Sequence, residues 1–75
     1  MAREKSNLRE PIIEEFITAR KEKGISQKQL EQLSGVKQQL IARVETGETN
    51  PQLETLLKIL APLGLTLAVV PTEDQ

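Results

Sequence analysis

The chain has no cysteine, histidine, tryptophan or tyrosine, and its single aromatic residue is Phe16. Each absence removes a class of chemistry. Without cysteine there is neither a disulfide framework nor a thiolate metal site. Without histidine, the commonest general base and the commonest zinc ligand are missing together. No apolar stretch approaches the ~20 residues that a bilayer-spanning helix requires. The longest, Leu63 to Val70, is short and is interrupted by Thr66. The charged start is not followed by an apolar signal region, and a cysteine-free chain suits a reducing compartment. The expectation is a cytoplasmic, non-catalytic domain without membrane association, cofactor or metal.

What is present points to one small core. A domain of 75 residues buries only about 60% of its unfolded surface, so a partner subunit would add useful burial. The net charge is −1, unevenly spread. Residues 24–43 carry Lys28, Lys37 and Arg43 against Glu31, whereas residues 44–75 carry Lys58 against Glu45, Glu48, Glu54, Glu73 and Asp74. The middle third is therefore the basic one, although so small an asymmetry decides nothing by itself.

Residues 1–10 read as a flexible arm, 11–61 as a helical body and 62–75 as a dimerisation strand and tail. Pro11 suits a first helical turn, where its missing N–H costs nothing. Ile12, Ile13, Phe16, Ile17 and Arg20 then recur at helical spacing until Gly24 stops them. Ser26 is a good N-cap for a second helix over Gln27–Leu33, with Leu30 and Leu33 as its apolar residues. Ser34-Gly35 breaks it, and a third helix runs from about Gln38 to Glu45, closed by Thr46-Gly47. Asn50-Pro51 predicts the cap and first position of a fourth helix, Gln52 to Leu60 or Ala61, whose core stripe would be Leu53, Leu56, Leu57 and Leu60. Pro62 ends it.

The last segment, Leu65-Thr66-Leu67-Ala68-Val69-Val70, is β-branched and apolar and reads as a strand. A lone strand in a helical chain has no ladder partner, and an unpaired edge recruits another chain. The economical partner is the same strand of a second copy across a two-fold axis. The alternative is extended coil packed on the helices.

On a helical wheel of the third helix, Gln38, Gln39, Ala42 and Arg43 fall on one arc, and Leu40, Ile41 and Val44 on the other. The first arc has chemical meaning. Gln can pair bidentately with adenine, Arg with guanine, and Ala42 permits close approach or touches a thymine methyl. The competing reading is an ordinary solvated helix face. A short helix, a glycine turn and a second helix of this kind make the helix-turn-helix layout.

The run from Arg20 to Leu60 resembles the Xre/Cro/434-repressor-type helix-turn-helix family. It does so through Arg20, Gly24, Gln27, Leu30, Gly35, Val36, Ile41, Glu45, Gly47, Pro51 and Leu56 taken together. The sequence ETLLKILAPLGLTLAVVP is similar to the end of HigA/HipB-type antitoxins, in which a strand replaces a fifth helix and pairs between subunits; GVKQ at Gly35–Gln38 is similar to them too. The resemblance implies a mainly α, four-helix lambda-repressor-like domain with one C-terminal β-strand pairing across a homodimer. It implies that Gln27, helped by Ser26 and Lys28, holds a DNA phosphate, and that Lys37, Gln38, Gln39 and Arg43 face the major groove. Arg20 and Glu45 match an internal salt bridge of the family. Two residues depart from the pattern. Lys37 stands where Ser or Thr is frequent, which removes a side-chain cap, and Leu40 stands where a small or polar residue is frequent.

Glu14-Glu15 and Glu45/Glu48 have no histidine or phosphate loop beside them and read as solvated charge. Lys21 and Lys23 complement the dipole of the first helix. Thr46, Thr49 and Asn50 serve equally well as a turn or as a phosphate-binding loop. The expected function is a repressor that binds a palindromic operator in double-stranded DNA as a homodimer, specifically the antitoxin of a toxin–antitoxin pair. Its toxin-binding surface would then lie on Met1–Glu10 or Thr72–Gln75. A stand-alone or prophage regulator is the rival within the family. A protein-interaction adaptor that no longer binds DNA is the rival outside it.

Overall fold

The computed structural model describes residues 9–71, as four α-helices and a short 3-10 turn: α1 (Arg9–Glu22), α2 (Gln27–Ser34), α3 (Gln38–Thr46), α4 (Leu53–Leu60) and the turn Ala61–Leu63. The arm assigned to residues 1–10 lies outside the described residues except for its last two, which belong to α1. Pro11 sits in the first turn of that helix, where no intrahelical donor is lost.

Phe16, Leu30, Ile41 and Ile59 are fully buried, with Ile13, Val36, Val44, Leu60 and Leu63 around them. One core therefore draws on all four helices and the 3-10 turn. α3 packs on both α1 and α2, while α2 also meets α4 and the turn that follows it.

The second helix begins on a reciprocal cap. Ser26 Oγ accepts the Gln29 N–H at 3.0 Å, and Gln29 Oε1 accepts the Ser26 N–H at 2.8 Å. It ends at Gly35, whose φ of 82° is left-handed and strains any residue with a Cβ. Gly47 closes α3 in the same conformation. These two glycines let three short helices cross within a few residues of chain.

Two expectations for α4 need correction, and Leu33 has a placement that the sequence leaves open. The buried stripe of α4 is not Leu53, Leu56, Leu57 and Leu60. Ile59 is fully buried while Leu53 is 63% exposed, because the face that meets the core runs through Leu56, Ile59, Leu60 and Leu63 at helical spacing. Leu33 points outward from α2 at 60% exposure. The N-cap of α4 is Gln52, which makes no side-chain bond there, so Asn50 and Pro51 stay in the preceding loop.

The expected strand Leu65–Val70 is absent among the described residues. In a single chain no neighbour offers a ladder, so the segment stays irregular. Leu65 N–H donates to the Leu60 carbonyl at 3.1 Å, and Leu67 packs against the core. Beyond it, Val69 and Val70 are exposed, at 102% and 68%.

Candidate nucleic-acid interface

The α2–turn–α3 unit is held from beneath by one carboxylate. Glu45, in the last turn of α3, receives Arg20 Nε on Oε2 at 2.7 Å and Arg20 Nη2 on Oε1 at 3.0 Å. The remaining guanidinium nitrogen donates to the Ile25 carbonyl at 2.8 Å. Both side chains are about nine-tenths buried. A planar fork that engages a carboxylate at both oxygens fixes orientation as well as distance. It ties α1 to α3 and to the loop that leads into α2.

Gln27 joins the same carboxylate: its Nε2 donates to Glu45 Oε1 at 2.9 Å. The amide that family resemblance assigns to a phosphate is thus half-buried and tethered, at the first position of α2. Ser26 is exposed, with its hydroxyl engaged in the cap, and Lys28 is exposed and free to turn outward.

Above this base, α3 has two faces. Ile41 and Val44 are buried and Leu40 packs against the core from a half-buried position. Lys37, Gln39 and Arg43 are exposed, and Gln38 and Ala42 are half-exposed. Arg43 in the last turn also complements the helix dipole. The side chains of Lys28, Lys37 and Gln38 meet around one cleft of about 420 Å³, whose other walls are Glu31, Gln32 and Gly35. Of the residues singled out in the sequence, then, Lys28, Lys37 and Gln38 share one cleft, Gln39, Ala42 and Arg43 follow along α3, and Gln27 lies behind, bonded to Glu45. Residues Leu65–Val70 lie elsewhere, across α1: Leu65, Thr66 and Leu67 line a small cavity with Ile12, Glu15, Phe16 and Leu60.

One member of this surface was not foreseen. Glu31 Oε1 accepts the Gln38 N–H at 3.2 Å, across the turn. The signal was there in two halves: a carboxylate in the last turn of α2, and a helix start at Lys37 with no capping side chain of its own.

A second groove, along α1, is acidic. Its volume is about 450 Å³, and its walls are Pro11, Glu14, Glu15, Thr18, Ala19, Glu22 and Leu65. This groove is lined by three carboxylates, Glu14, Glu15 and Glu22, whereas the cleft beside α3 carries Lys28 and Lys37 with Glu31. Among the described residues, no group of three or more His, Cys, Asp or Glu side chains is placed to hold a metal ion, and no helix is long and apolar enough to cross a membrane.

Comparison with known proteins agrees with this layout. The helix-turn-helix family pattern matches residues 17–70. A protein of Haemophilus influenzae named as an uncharacterized HTH-type transcriptional regulator is 71% identical over 66 residues, spanning 88% of this chain and 67% of that protein. A second HTH-type transcriptional regulator, from Sinorhizobium fredii, is 33% identical over 70 residues, with 91% of each chain covered. Among solved structures, a chain of a toxin–antitoxin module from Streptococcus pneumoniae superposes with a TM-score of 0.76 at 63% identity, covering 91% of this chain and 76% of that one. With the buried Arg20–Glu45 base, the glycine turn and a third helix polar on its outer face, these likenesses show that the chain belongs to the Xre-type helix-turn-helix family of DNA-binding transcriptional regulators.

Proposed function

We propose that this regulator is a sequence-specific repressor which enters the DNA major groove with α3. The observation that carries the reading is the division of α3, with Ile41 and Val44 buried beneath it and Gln39 and Arg43 exposed above, beside Gln38 and Lys37. Gln38 and Gln39 would pair with adenine edges and Arg43 with guanine, each bidentate contact discriminating by roughly 1–3 kcal/mol. Ala42 between them leaves room for a thymine methyl. Lys37 and Lys28 would lie along phosphates. Gln27, held by Glu45, and Ser26, at the helix start, would take a phosphate at the N-terminus of α2.

The body 11–61 would carry this interface and 62–75 would bring two bodies together. Leu65–Val70 supports that role by being apolar, short of hydrogen bonds and exposed at its end. Pairing this segment with its copy would place the two α3 helices on a palindromic operator with half-sites about 34–36 Å apart.

The 63% identity with a chain of a toxin–antitoxin module supports a further step. The chain would act as the antitoxin that represses its own operon and binds a toxin in the cytoplasm.

Fluorescence anisotropy tests the DNA reading. The protein is titrated against the duplex upstream of its own gene and a scrambled duplex, at two salt concentrations, alongside Gln38→Ala/Gln39→Ala. Tight, salt-sensitive binding confined to the first duplex and lost in the variant is expected. Equal binding to both duplexes sinks sequence-specific repression, and no binding moves a protein-interaction role to the front. Co-expression with the product of the neighbouring gene tests the antitoxin step, since rescue of growth is expected only with an antitoxin.

A further inference from the structure

Every α-helix leaves the first few of its N–H groups without a partner inside the helix. At α3 the residue in the capping position is Lys37, with φ −60° and ψ 142°, and its side chain makes no capping bond. The Gln38 N–H is nevertheless satisfied, by Glu31 Oε1 at 3.2 Å. Glu31 also holds the other side of the same turn, because its backbone carbonyl accepts the Gly35 N–H at 2.8 Å. One residue of α2 therefore grips both the exit from its own helix and the start of the next.

Glu31 also carries a charge into a basic surface. A helix start has about half a positive charge and is a ready site for a phosphate. Here a carboxylate fills that place, within the cleft shared by Lys28, Lys37 and Gln38. A phosphate arriving at the start of α3 would meet an anion already bonded to the N–H it needs.

We propose that Glu31 is a positioning and specificity-determining residue for the DNA-reading helix. It fixes the angle at which Gln38 and Gln39 leave the turn, and it keeps phosphate from docking on the α3 backbone. The charge thereby weakens binding to any duplex alike, and the fixed angle of α3 sharpens discrimination. The proposal rests on the DNA reading advanced above, so its test includes a measurement that needs no DNA.

Two variants separate the roles. Glu31→Gln keeps an acceptor oxygen in place and loses the charge, whereas Glu31→Ala loses both. In the free protein, NMR hydrogen exchange at the Gln38 amide should accelerate about fivefold in Glu31→Ala, the scale of one helix cap, and stay slow in Glu31→Gln. With DNA, both variants should bind the scrambled duplex about threefold more tightly at low salt, since each removes a charge opposed to phosphate. The preference for the upstream duplex should fall about fivefold in Glu31→Ala and persist in Glu31→Gln. An unchanged Gln38 exchange rate in Glu31→Ala overturns the positioning role, and so does a preference lost equally in both variants. Scrambled-duplex affinity unchanged in both overturns the charge role. If the wild-type protein shows no preference between duplexes, the DNA reading fails by itself, and the Gln38 exchange rate still decides whether Glu31 holds the start of α3.

Discussion

Replacing Arg20 by methionine would leave the Glu45 carboxylate nine-tenths buried with only the Gln27 amide for company. The Ile25 carbonyl would lose its side-chain donor as well. Removing one partner of a buried ion pair costs about 3–5 kcal/mol, because the remaining charge stays desolvated and unbalanced. The stability of a domain this small, at about 0.05–0.15 kcal/mol per residue, is of the order of 4–11 kcal/mol in total. Arg20→Met should therefore bring the protein near its unfolding threshold. In urea, with a slope near 1 kcal/mol per molar for small domains, the midpoint should fall by about 3–5 M. The double variant Arg20→Met/Glu45→Met removes both charges and fills the space with apolar atoms, so most of the lost stability should return. Far-UV circular dichroism of wild-type, single and double variants measures all of this in one experiment. A single variant that loses less than about 1 kcal/mol, or a double variant no better than the single, would refute the reasoning, since Arg20 would then contribute packing alone. The rescued double variant carries a further consequence: Gln27 is untethered in it, so DNA affinity should fall while stability holds.

Two further outcomes follow from the surface. Lys37→Ser gives α3 a side-chain cap for the donors that Glu31 does not reach. It should raise the melting temperature by roughly 4–8 °C, the equivalent of ~1 kcal/mol in a domain this size, while lowering DNA affinity through the lost cation; an unchanged melting temperature would show that the start of α3 is already saturated. Val69→Asp, at a fully exposed position, should alter monomer stability by no more than about 0.5 kcal/mol and should abolish self-association in sedimentation velocity. The wild-type protein is expected to sediment as a dimer, and a variant that does the same would move the interface away from Leu65–Val70.

The helices were legible because their punctuation is chemically explicit. Ser26 with Gln29 three residues on, and glycines at 35 and 47, leave the backbone little choice about where α2 and α3 start and stop. The division of α3 was legible for a similar reason, since branched apolar residues and amide or guanidinium side chains segregate at a period of 3.6. In α4 the same logic misled. Leu53, Leu56, Leu57, Ile59, Leu60 and Leu63 are all apolar, so two overlapping stripes fit the sequence. Only the position of the neighbouring helices selects the one containing Ile59. Glu31 was hidden for a different reason: its bond to Gln38 N–H depends on the crossing of α2 over α3, which no local pattern encodes. The tail illustrates a third limit: its β-branched apolar residues predict a strand, whereas Leu65–Val70 is irregular, because residue pattern does not supply the hydrogen-bonded neighbour that a strand needs.

The anchoring of α3 from one side only has an evolutionary consequence. Ile41, Val44 and Glu45 bear the fold, and the exposed side chains of Gln39 and Arg43 bear little of it, Arg43 only through the dipole of its helix. Exchanges at those two positions should shift stability by no more than about 0.5 kcal/mol. Descendants of this chain can therefore sample new outer faces on α3 without first acquiring a new core, and, on the DNA reading proposed above, lineages that share an unchanged scaffold would drift apart in what they recognise.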